Sequence, residues 1–264
     1  MIPQAYITEW SAQVPWQTNE QVEQDLVICR ALVAIFSDEW LASSLAFRGG
    51  TAIHKLYLSP QPRYSEDIDL VQLRSEGIKE TVSRLQQALD FLGEPAVAQT
   101  GINTTLRYRF DSEFPPSQKL RLKIETNCRE HHTVLGHQTL PFNVESQWFT
   151  GQCNITTFQL EELLATKLRA LYERRKGRDL YDIFKALTQR PDLDKSAILK
   201  SFHSYMMKAP GQKEYLKVVS MKIKDPEFLG DTTALLRPIE HYDAEQAYAL
   251  VKAELLDRID ETKS

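Results

Sequence analysis

Two adjacent glycines, at the junction of a predicted strand and a predicted helix, constrain most strongly how this chain can fold. The pattern predicts a strand from Ser44 to Arg48, then Gly49 and Gly50, then a helix from Thr51 to Tyr57. Glycine permits positive φ angles and lets another group approach the backbone closely. Free N–H groups at a helix start attract phosphate, and the Thr51 hydroxyl can cap the helix or contact a phosphate oxygen. A plain tight turn fits the same pattern, so this junction alone leaves both interpretations open.

An Asp-x-Asp pair follows the glycine junction. Asp67 lies sixteen positions after Thr51, and Asp67 and Asp69 begin a strand predicted to run from Asp67 to Leu73. Residues two apart on a strand point to the same face, so the two carboxylates stand side by side. They repel each other unless a cation neutralises them, and Mg²⁺ carrying substrate phosphates suits such oxygen ligands. A solvated sheet edge also tolerates paired acids, but the preceding glycines favour a metal site.

A third carboxylate is predicted on a later strand. Two alternating segments, Thr104 to Phe110 and Lys119 to Thr126, predict a β-hairpin, and Glu125 lies on its polar face. Glu125 is therefore a candidate to join Asp67 and Asp69 in a two-metal site. The same polar face carries five cations: Arg107, Arg109, Lys119, Arg121 and Lys123. These cations either face an anionic substrate such as RNA or form an ordinary solvent-exposed surface.

A lysine and two acids near residue 170 complete the set of candidate residues. A helix is predicted from Phe158 to Arg175, and Lys167 falls within its leucine stripe. Such a lysine either extends its ammonium group to solvent or meets an anion, here a triphosphate. Asp179 and Asp182 share one face of the next predicted helix. They orient Lys167, join the metal shell or act as a general base, or they simply complement the helix dipole.

Composition and charge point to an ordinary soluble protein with local basic regions. The formal net charge is −4 over 264 residues, but residues 167–178 hold six cations and one acid, which suits an RNA backbone or a polyphosphate. Three cysteines without a CxxC pair argue against a disulfide framework or a structural zinc site. No secretory signal or membrane span is predicted, so we expect a cytoplasmic protein without membrane contact.

The order of the predicted elements indicates an α+β fold with a mixed sheet and flanking helices. Asn19 is the predicted cap of a long helix ahead of the first strand, and short strands are predicted at Val144 to Phe149 and Cys153 to Thr157. His131 to Thr139 is predicted to be a loop, and Lys208 to Arg237 is weakly patterned. Four further helices are predicted at Phe158–Arg175, Arg178–Thr188, Ser196–Met207 and Ala244–Ile259. We therefore expect a mixed α/β domain at 1–157 and a helical domain at 158–264 that contributes lysine and aspartate to the site.

These residues resemble the AbiEii/AbiGii-type toxins, including the MenT group, within the nucleotidyltransferase superfamily. The matching segments are Phe47–Leu56, Arg63–Leu70, Lys167 with Glu173, and Arg178–Asp182. The resemblance implies a polymerase-β-like nucleotidyltransferase fold that uses an NTP and Mg²⁺. It implies nucleotide binding by Gly49, Gly50, Thr51, Lys55 and Ser65, metal binding by Asp67 and Asp69, phosphate contact by Lys167, and a fourth-motif acid that is either Asp179 or Asp182.

The resemblance also implies a biological role. The family's studied groups modify the 3′ end of tRNA and so stop translation, and an AbiEi-like antitoxin is usually encoded alongside them. Two alternatives remain open from the residues themselves. The same transfer chemistry can act on a small molecule or a protein, and an inactive transferase fold can serve as a nucleotide- or RNA-binding module.

Overall fold

Seven strands form one mixed sheet in the protein, a computed structural model that describes residues 2–261. The strands are β1 (Leu45–Arg48), β2 (Asp67–Gln72), β3 (Ala96–Thr100), β4 (Asn103–Asp111), β5 (Lys119–Asn127), β6 (His137–Glu145) and β7 (Thr150–Phe158). Their order across the sheet is β3-β4-β5-β2-β1-β7-β6. β2 pairs with β5 and β1 with β7 in parallel, and the other neighbours are antiparallel. The predicted mixed sheet and the predicted β4–β5 hairpin are confirmed.

Helices flank this sheet and make up most of the carboxyl-terminal part. They are α1 (Gln4–Ser11), α2 (Asn19–Ser37), α3 (Glu39–Ser44), α4 (Gly49–Ala52), α5 (Ile78–Ala88), α6 (Leu160–Glu173), α7 (Gly177–Gln189), α8 (Lys195–Tyr205), α9 (Gln212–Lys222), α10 (Pro226–Gly230) and α11 (Ala244–Glu254). A π-helical turn, Ile53–Tyr57, continues α4. Within residues 2–261, no helix combines the length and apolarity needed to cross a membrane.

The long helix α2 is buried over most of its length because other elements enclose it. It packs on β5, β6 and β7, while α1, α3 and α5 contact its other sides. Leu26, Ile28 and Leu32 have no exposed surface. The predicted cap was wrong by one residue, since Asn19 is the first helical residue and the Thr18 hydroxyl accepts the hydrogen bond from the amide of Gln21.

A continuous apolar core joins the sheet to the carboxyl-terminal helices. Phe47 of β1, Leu164 and Leu168 of α6 and Ile183 of α7 all belong to it and are fully buried. The division into 1–157 and 158–264 therefore stays a prediction about sequence organisation, since apolar residues from both sides of residue 157 pack in one core.

Several elements differ from the sequence prediction, each where the apolar pattern is weak. β3 has no predicted counterpart because nearly all of its side chains are exposed at the sheet edge. α9 buries only Tyr215, Val219 and Lys222, which is too narrow a stripe for the periodicity to reveal. β6 begins at His137, inside the segment predicted to be a loop, because its first half alternates little between apolar and polar residues.

Candidate active site

The turn after β1 brings the backbone into close contact with side chains of opposite charge. Gly49 has a φ angle of +79°, and a Cβ atom at this position would lie 2.2 Å from Oδ2 of Asp69. A Cβ atom on Gly50 would lie 2.7 Å from Nη2 of Arg63 and 3.4 Å from Nζ of Lys167. Position 49 thus requires glycine because of its positive φ angle and the Asp69 carboxylate, and a side chain on Gly50 would displace the guanidinium group of Arg63.

The hydroxyl groups beside this turn hold the start of β2. Thr51 donates a hydrogen bond of 2.5 Å to the carbonyl of Asp67, and its Oγ1 lies 2.8 Å from Oγ of Ser65. α4 begins at Gly49, so Thr51 lies within it and not at its cap, and the capping alternative for Thr51 does not hold. Thr51 instead fixes the backbone of Asp67 to the glycine turn.

Three carboxylates meet on one face of the sheet because β2 and β5 run parallel. Asp69 is paired with Glu125 in the strand register, and Asp67 is paired with Lys123. The Lys123 ammonium lies 3.2 Å from Asp67 and 3.4 Å from Glu125 and offsets part of their charge. Burial and the neighbouring Asp67 carboxylate raise the pKa of Asp69 above its ordinary value.

The donor set fits a magnesium ion bound together with substrate. Among residues 2–261, no three acidic, histidine or cysteine side chains converge into a complete ion site. Mg²⁺ usually keeps several waters and takes only one or two protein carboxylates plus substrate phosphates, which Asp67 and Asp69 can supply. Glu125 accepts a hydrogen bond of 2.9 Å from Asn103 and also contacts Lys123. Of the three acids, Glu125 therefore has the most protein partners for its carboxylate oxygens.

Lys167 lies on the opposite wall and is buried, so of the two alternatives for a lysine in the leucine stripe the structure shows the one in which it meets anions. Only 6% of its surface is exposed. Its Nζ lies 3.0 Å from Oδ1 of Asp179 and 2.8 Å from Oδ2 of Asp182. An ammonium group has three donors, so one remains for a ligand in the cleft that Lys167 lines.

Asp179 and Asp182 lie behind this wall, fully buried and surrounded by cations. Arg174 donates two hydrogen bonds, of 2.7 and 2.8 Å, to the carboxylate of Asp179. Arg63 likewise donates two, of 2.7 and 2.8 Å, to the carboxylate of Asp182. Burial by itself would raise the pKa of each acid, but Lys167 and these arginines outweigh it and hold both pKa values below the ordinary range. The two acids therefore act as anchors that position three cations.

A histidine completes the buried cluster around Asp182. Nε2 of His54 lies 2.8 Å from Oδ1 of Asp182. Burial and the neighbouring Arg63 lower the pKa of His54 to about 4 in spite of Asp182. The ring is therefore neutral near pH 7 and donates its Nε2 hydrogen to the carboxylate.

The result is a polar cleft between an acidic sheet face and a basic helical wall. A compartment of about 150 Å³ is lined by Thr51, Ser65 and Asp67 on one side and by Lys167, Arg174 and Arg178 on the other. A second compartment of about 270 Å³ shares Gly50, Asp69 and Lys167 with it. Such a cleft suits a ligand with several negative charges bound beside a divalent cation.

The structure brings most of the sequence-predicted residues to this cleft. Gly49, Gly50, Thr51, Ser65, Asp67, Asp69, Glu125 and Lys167 line it. Lys55 does not belong to this group, because its Nζ lies 2.6 Å from Oδ2 of Asp25 and 3.2 Å from Sγ of Cys29 in the buried core. The expectation that Lys55 binds nucleotide is corrected accordingly, since its charge is already neutralised away from the cleft.

Four residues of the site were not singled out from the sequence: His54, Arg63, Arg174 and Arg178. Arg174 and Arg178 belong to the basic segment between Lys167 and Arg178, which the sequence indicated only as a whole. Arg63 follows a proline-rich segment without periodicity, and His54 sits in a short apolar helix, so no local pattern identifies either one. Their role depends on contacts with Asp182, more than a hundred residues away.

Comparison with known proteins connects this geometry to a family. The model of a family described as the nucleotidyl transferase AbiEii toxin of type IV toxin–antitoxin systems matches residues 30–256. No curated protein sequence matches the chain.

Two solved structures have a similar fold. MenT4, a nucleotidyltransferase toxin from Mycobacterium tuberculosis H37Rv, has 17% sequence identity and a TM-score of 0.61, with 98% of this chain and 89% of that chain covered. JHP933 from Helicobacter pylori has 16% identity and a TM-score of 0.55, with 94% of each chain covered. At such identities the similarity establishes the fold, whereas the family match spans most of the chain. The chain therefore belongs to the AbiEii nucleotidyl transferase toxin family and is a nucleotidyltransferase.

Proposed function

We propose that this enzyme transfers a nucleoside monophosphate from an NTP to the 3′ hydroxyl of tRNA, with Mg²⁺ as cofactor, and thereby blocks translation. The observation that carries the proposal is the placement of Asp67 and Asp69 across a narrow cleft from Lys167. A triphosphate in this cleft would have its charge opposed by cations on one side. Its reacting phosphorus would face the carboxylates on the other side.

The basic wall is suited to bind the β- and γ-phosphates. Lys167 keeps one donor free beyond its two aspartate contacts. The side chains of Arg174 and Arg178 are 54% and 30% exposed, so both can contact a bound phosphate. Because Asp179 fixes both Lys167 and Arg174, the wall is arranged before substrate arrives and loses little side-chain entropy on binding.

The acidic face is suited to orient the acceptor hydroxyl. Thr51 holds the backbone of Asp67, whose carboxylate contacts Lys123, and the absence of a side chain at Gly49 leaves room for the carboxylate of Asp69. Metal ions bound there would lower the pKa of the acceptor hydroxyl and offset the charge of the pentacoordinate phosphorus. The bond from the acceptor oxygen to the α-phosphorus would form as the bond to pyrophosphate breaks.

The cellular setting is part of the same proposal. Membership of a type IV toxin–antitoxin family implies a cognate antitoxin, for which an AbiEi-like protein encoded alongside is the candidate. Cys29, Cys128 and Cys153 are all free thiols, which agrees with a reducing cytoplasm.

The test is transfer of label from each α-³²P NTP to total tRNA, compared between the wild-type enzyme and Asp67→Ala. We expect wild-type enzyme with Mg²⁺ to label tRNA and release pyrophosphate, and Asp67→Ala to lose at least about 100-fold in rate. A circular dichroism spectrum checks that the variant is folded. Equal labelling by Asp67→Ala would contradict the role of Asp67. Labelling of cell protein or of small molecules instead of RNA would show that tRNA is not the acceptor. NTP binding without pyrophosphate release would indicate a non-catalytic nucleotide-binding module.

A further inference from the structure

The β4–β5 hairpin carries a basic surface that extends from the catalytic carboxylates. We define the basic face as Arg107, Arg109 and Arg121, whose side chains are exposed on the same side of the sheet as Glu125. In the strand register Arg109 lies opposite Arg121, and Arg107 lies opposite Lys123. Cations thus face cations across the two strands, an arrangement that costs stability in an isolated sheet.

No carboxylate among residues 2–261 forms an ion pair with the basic face. Its two neighbouring lysines are already partnered, since Lys119 contacts Asp111 and Lys123 contacts the acids of the cleft. The adjacent strand β3 places Ala96 opposite Arg107, and Glu94, two residues before Ala96, forms no ion pair with the basic face. Elsewhere, exposed Arg174 and Arg175 pair with Asp179 and Asp225, whereas Arg74 and Arg129 are also exposed without an ion pair in the described part of the chain. The basic face differs from these single arginines because it gathers three unpaired arginines on one side of one hairpin.

The basic face is continuous with the active site. Glu125, Lys123 and Arg121 alternate along β5, and residues two apart on a strand are separated by about 6.6 Å. Arg121 is therefore about 13 Å from Glu125 along the strand. A polyanion lying on the basic face would thus run directly towards the acids that orient the acceptor hydroxyl.

We propose that the basic face binds the sugar–phosphate backbone of the RNA acceptor and guides its 3′ end to Asp67 and Asp69. All three cations are arginines, whose planar guanidinium groups bind phosphate oxygens in a bidentate manner. On the β3 side, Ala96 and Ala98 lie opposite Arg107 and Thr105, so small neutral side chains border the basic face there. The inference rests on the proposed transfer to RNA, and it adds the surface that holds the acceptor.

The experiment measures binding of fluorescein-labelled total tRNA, without NTP, at several salt concentrations. The test variant carries Arg107→Glu, Arg109→Glu and Arg121→Glu. The control carries Lys200→Glu, Lys213→Glu and Lys217→Glu, which changes the net charge equally at exposed helix positions outside the cleft. We expect the test variant to bind tRNA at least about 10-fold more weakly than wild type. The plot of log affinity against log salt should become less steep, its negative slope decreasing in magnitude by about two. The control variant should match wild type in both respects. A mixture of the four NTPs with Mg²⁺ should stabilise both variants against unfolding as much as it stabilises wild type, because neither set of substitutions changes the cleft.

Two results would overturn the proposal: unchanged tRNA affinity in the test variant, or an equal loss in the control. If the glutamate variant fails to fold, the variant with glutamine at the same three positions takes its place, with the same expected direction. The labelling assay separates this inference from the proposed function. If wild-type enzyme labels tRNA but the basic face proves dispensable, only this inference fails. If tRNA binds through the basic face and is never labelled, the proposed acceptor chemistry fails instead.

Discussion

Gly49 and Gly50 have different neighbours although they are adjacent in the chain. Gly49 accommodates the carboxylate of Asp69, and Gly50 accommodates the cations Arg63 and Lys167. The sequence predicts that a ligand approaches this turn, but in the folded protein the side chains of the site already do so. The turn is therefore the point at which the acidic face and the basic wall are held at a fixed separation.

Substitution of Gly49 should separate catalysis from stability. Gly49 and Gly136 have φ angles of +79° and +82°, but a Cβ atom at Gly136 would meet nothing within 4 Å. Gly136→Ala should lose about 1–2 kcal/mol of folding stability because of the positive φ angle, and Gly49→Ala should lose at least as much because its methyl group also displaces Asp69. Only Gly49→Ala should also abolish tRNA labelling, because its methyl group displaces Asp69. Urea denaturation and the labelling assay measure the two effects, and an active Gly49→Ala enzyme would contradict this account of the turn.

At the scale of elements, the predictable parts are those with strong periodicity. The leucine stripe of α6 predicted the helix and placed Lys167 on its apolar side, and the alternation of β5 predicted the face on which Glu125 lies. α9 escaped prediction because it buries only Tyr215, Val219 and Lys222, and the last of these makes polar contacts. Lys222, its last residue, donates hydrogen bonds to the carbonyls of Leu171, Tyr172 and Arg174 at the end of α6. A lysine from another element that completes a helix terminus leaves no local sequence pattern.

This contact should make Lys222 important for the position of Arg174. Lys222→Met removes three charge-assisted hydrogen bonds, and we expect a loss of about 2–3 kcal/mol in the free energy of unfolding. The matched control is Lys217→Met on the same helix, whose side chain is exposed and should change stability little. Because Arg174 lines the nucleotide cleft, Lys222→Met should also raise KM for the NTP, measured with tRNA in excess. Equal stability of the two variants would show that the end of α6 does not depend on Lys222.

At the scale of the whole molecule, the cluster around Asp182 ties distant parts of the chain together. His54 follows the glycine turn, Arg63 precedes β2, and Asp182 belongs to α7. The backbone of Tyr64 is in turn hydrogen-bonded to Leu235, near the carboxyl-terminal end. Sequence separations of this size explain why the motif residues that line the cleft could be named from the sequence, whereas the contacts of Asp182 with His54 and Arg63 could not. Each motif residue has a local pattern, whereas each contact of the cluster exists only after the helices pack on the sheet.

His54 should make this cluster sensitive to acid. Its pKa is about 4 in the folded protein, against an ordinary value of 6.5, because it is buried beside Arg63 and Lys167 and its attraction to Asp182 does not compensate. As the pH falls below 6.5, His54 becomes protonated in the unfolded chain but stays neutral in the folded protein. The free energy of unfolding therefore decreases until the pH approaches 4. Between pH 7 and pH 4 the wild-type protein should therefore lose about 2–3 kcal/mol more than His54→Gln, whose amide can still donate to Asp182. Urea denaturation at a series of pH values measures the difference, with His241→Gln as the exposed control expected to follow wild type. Parallel curves for wild type and His54→Gln would mean that His54 is protonated in the folded protein, and Asp182 would then be opposed by three full positive charges rather than two.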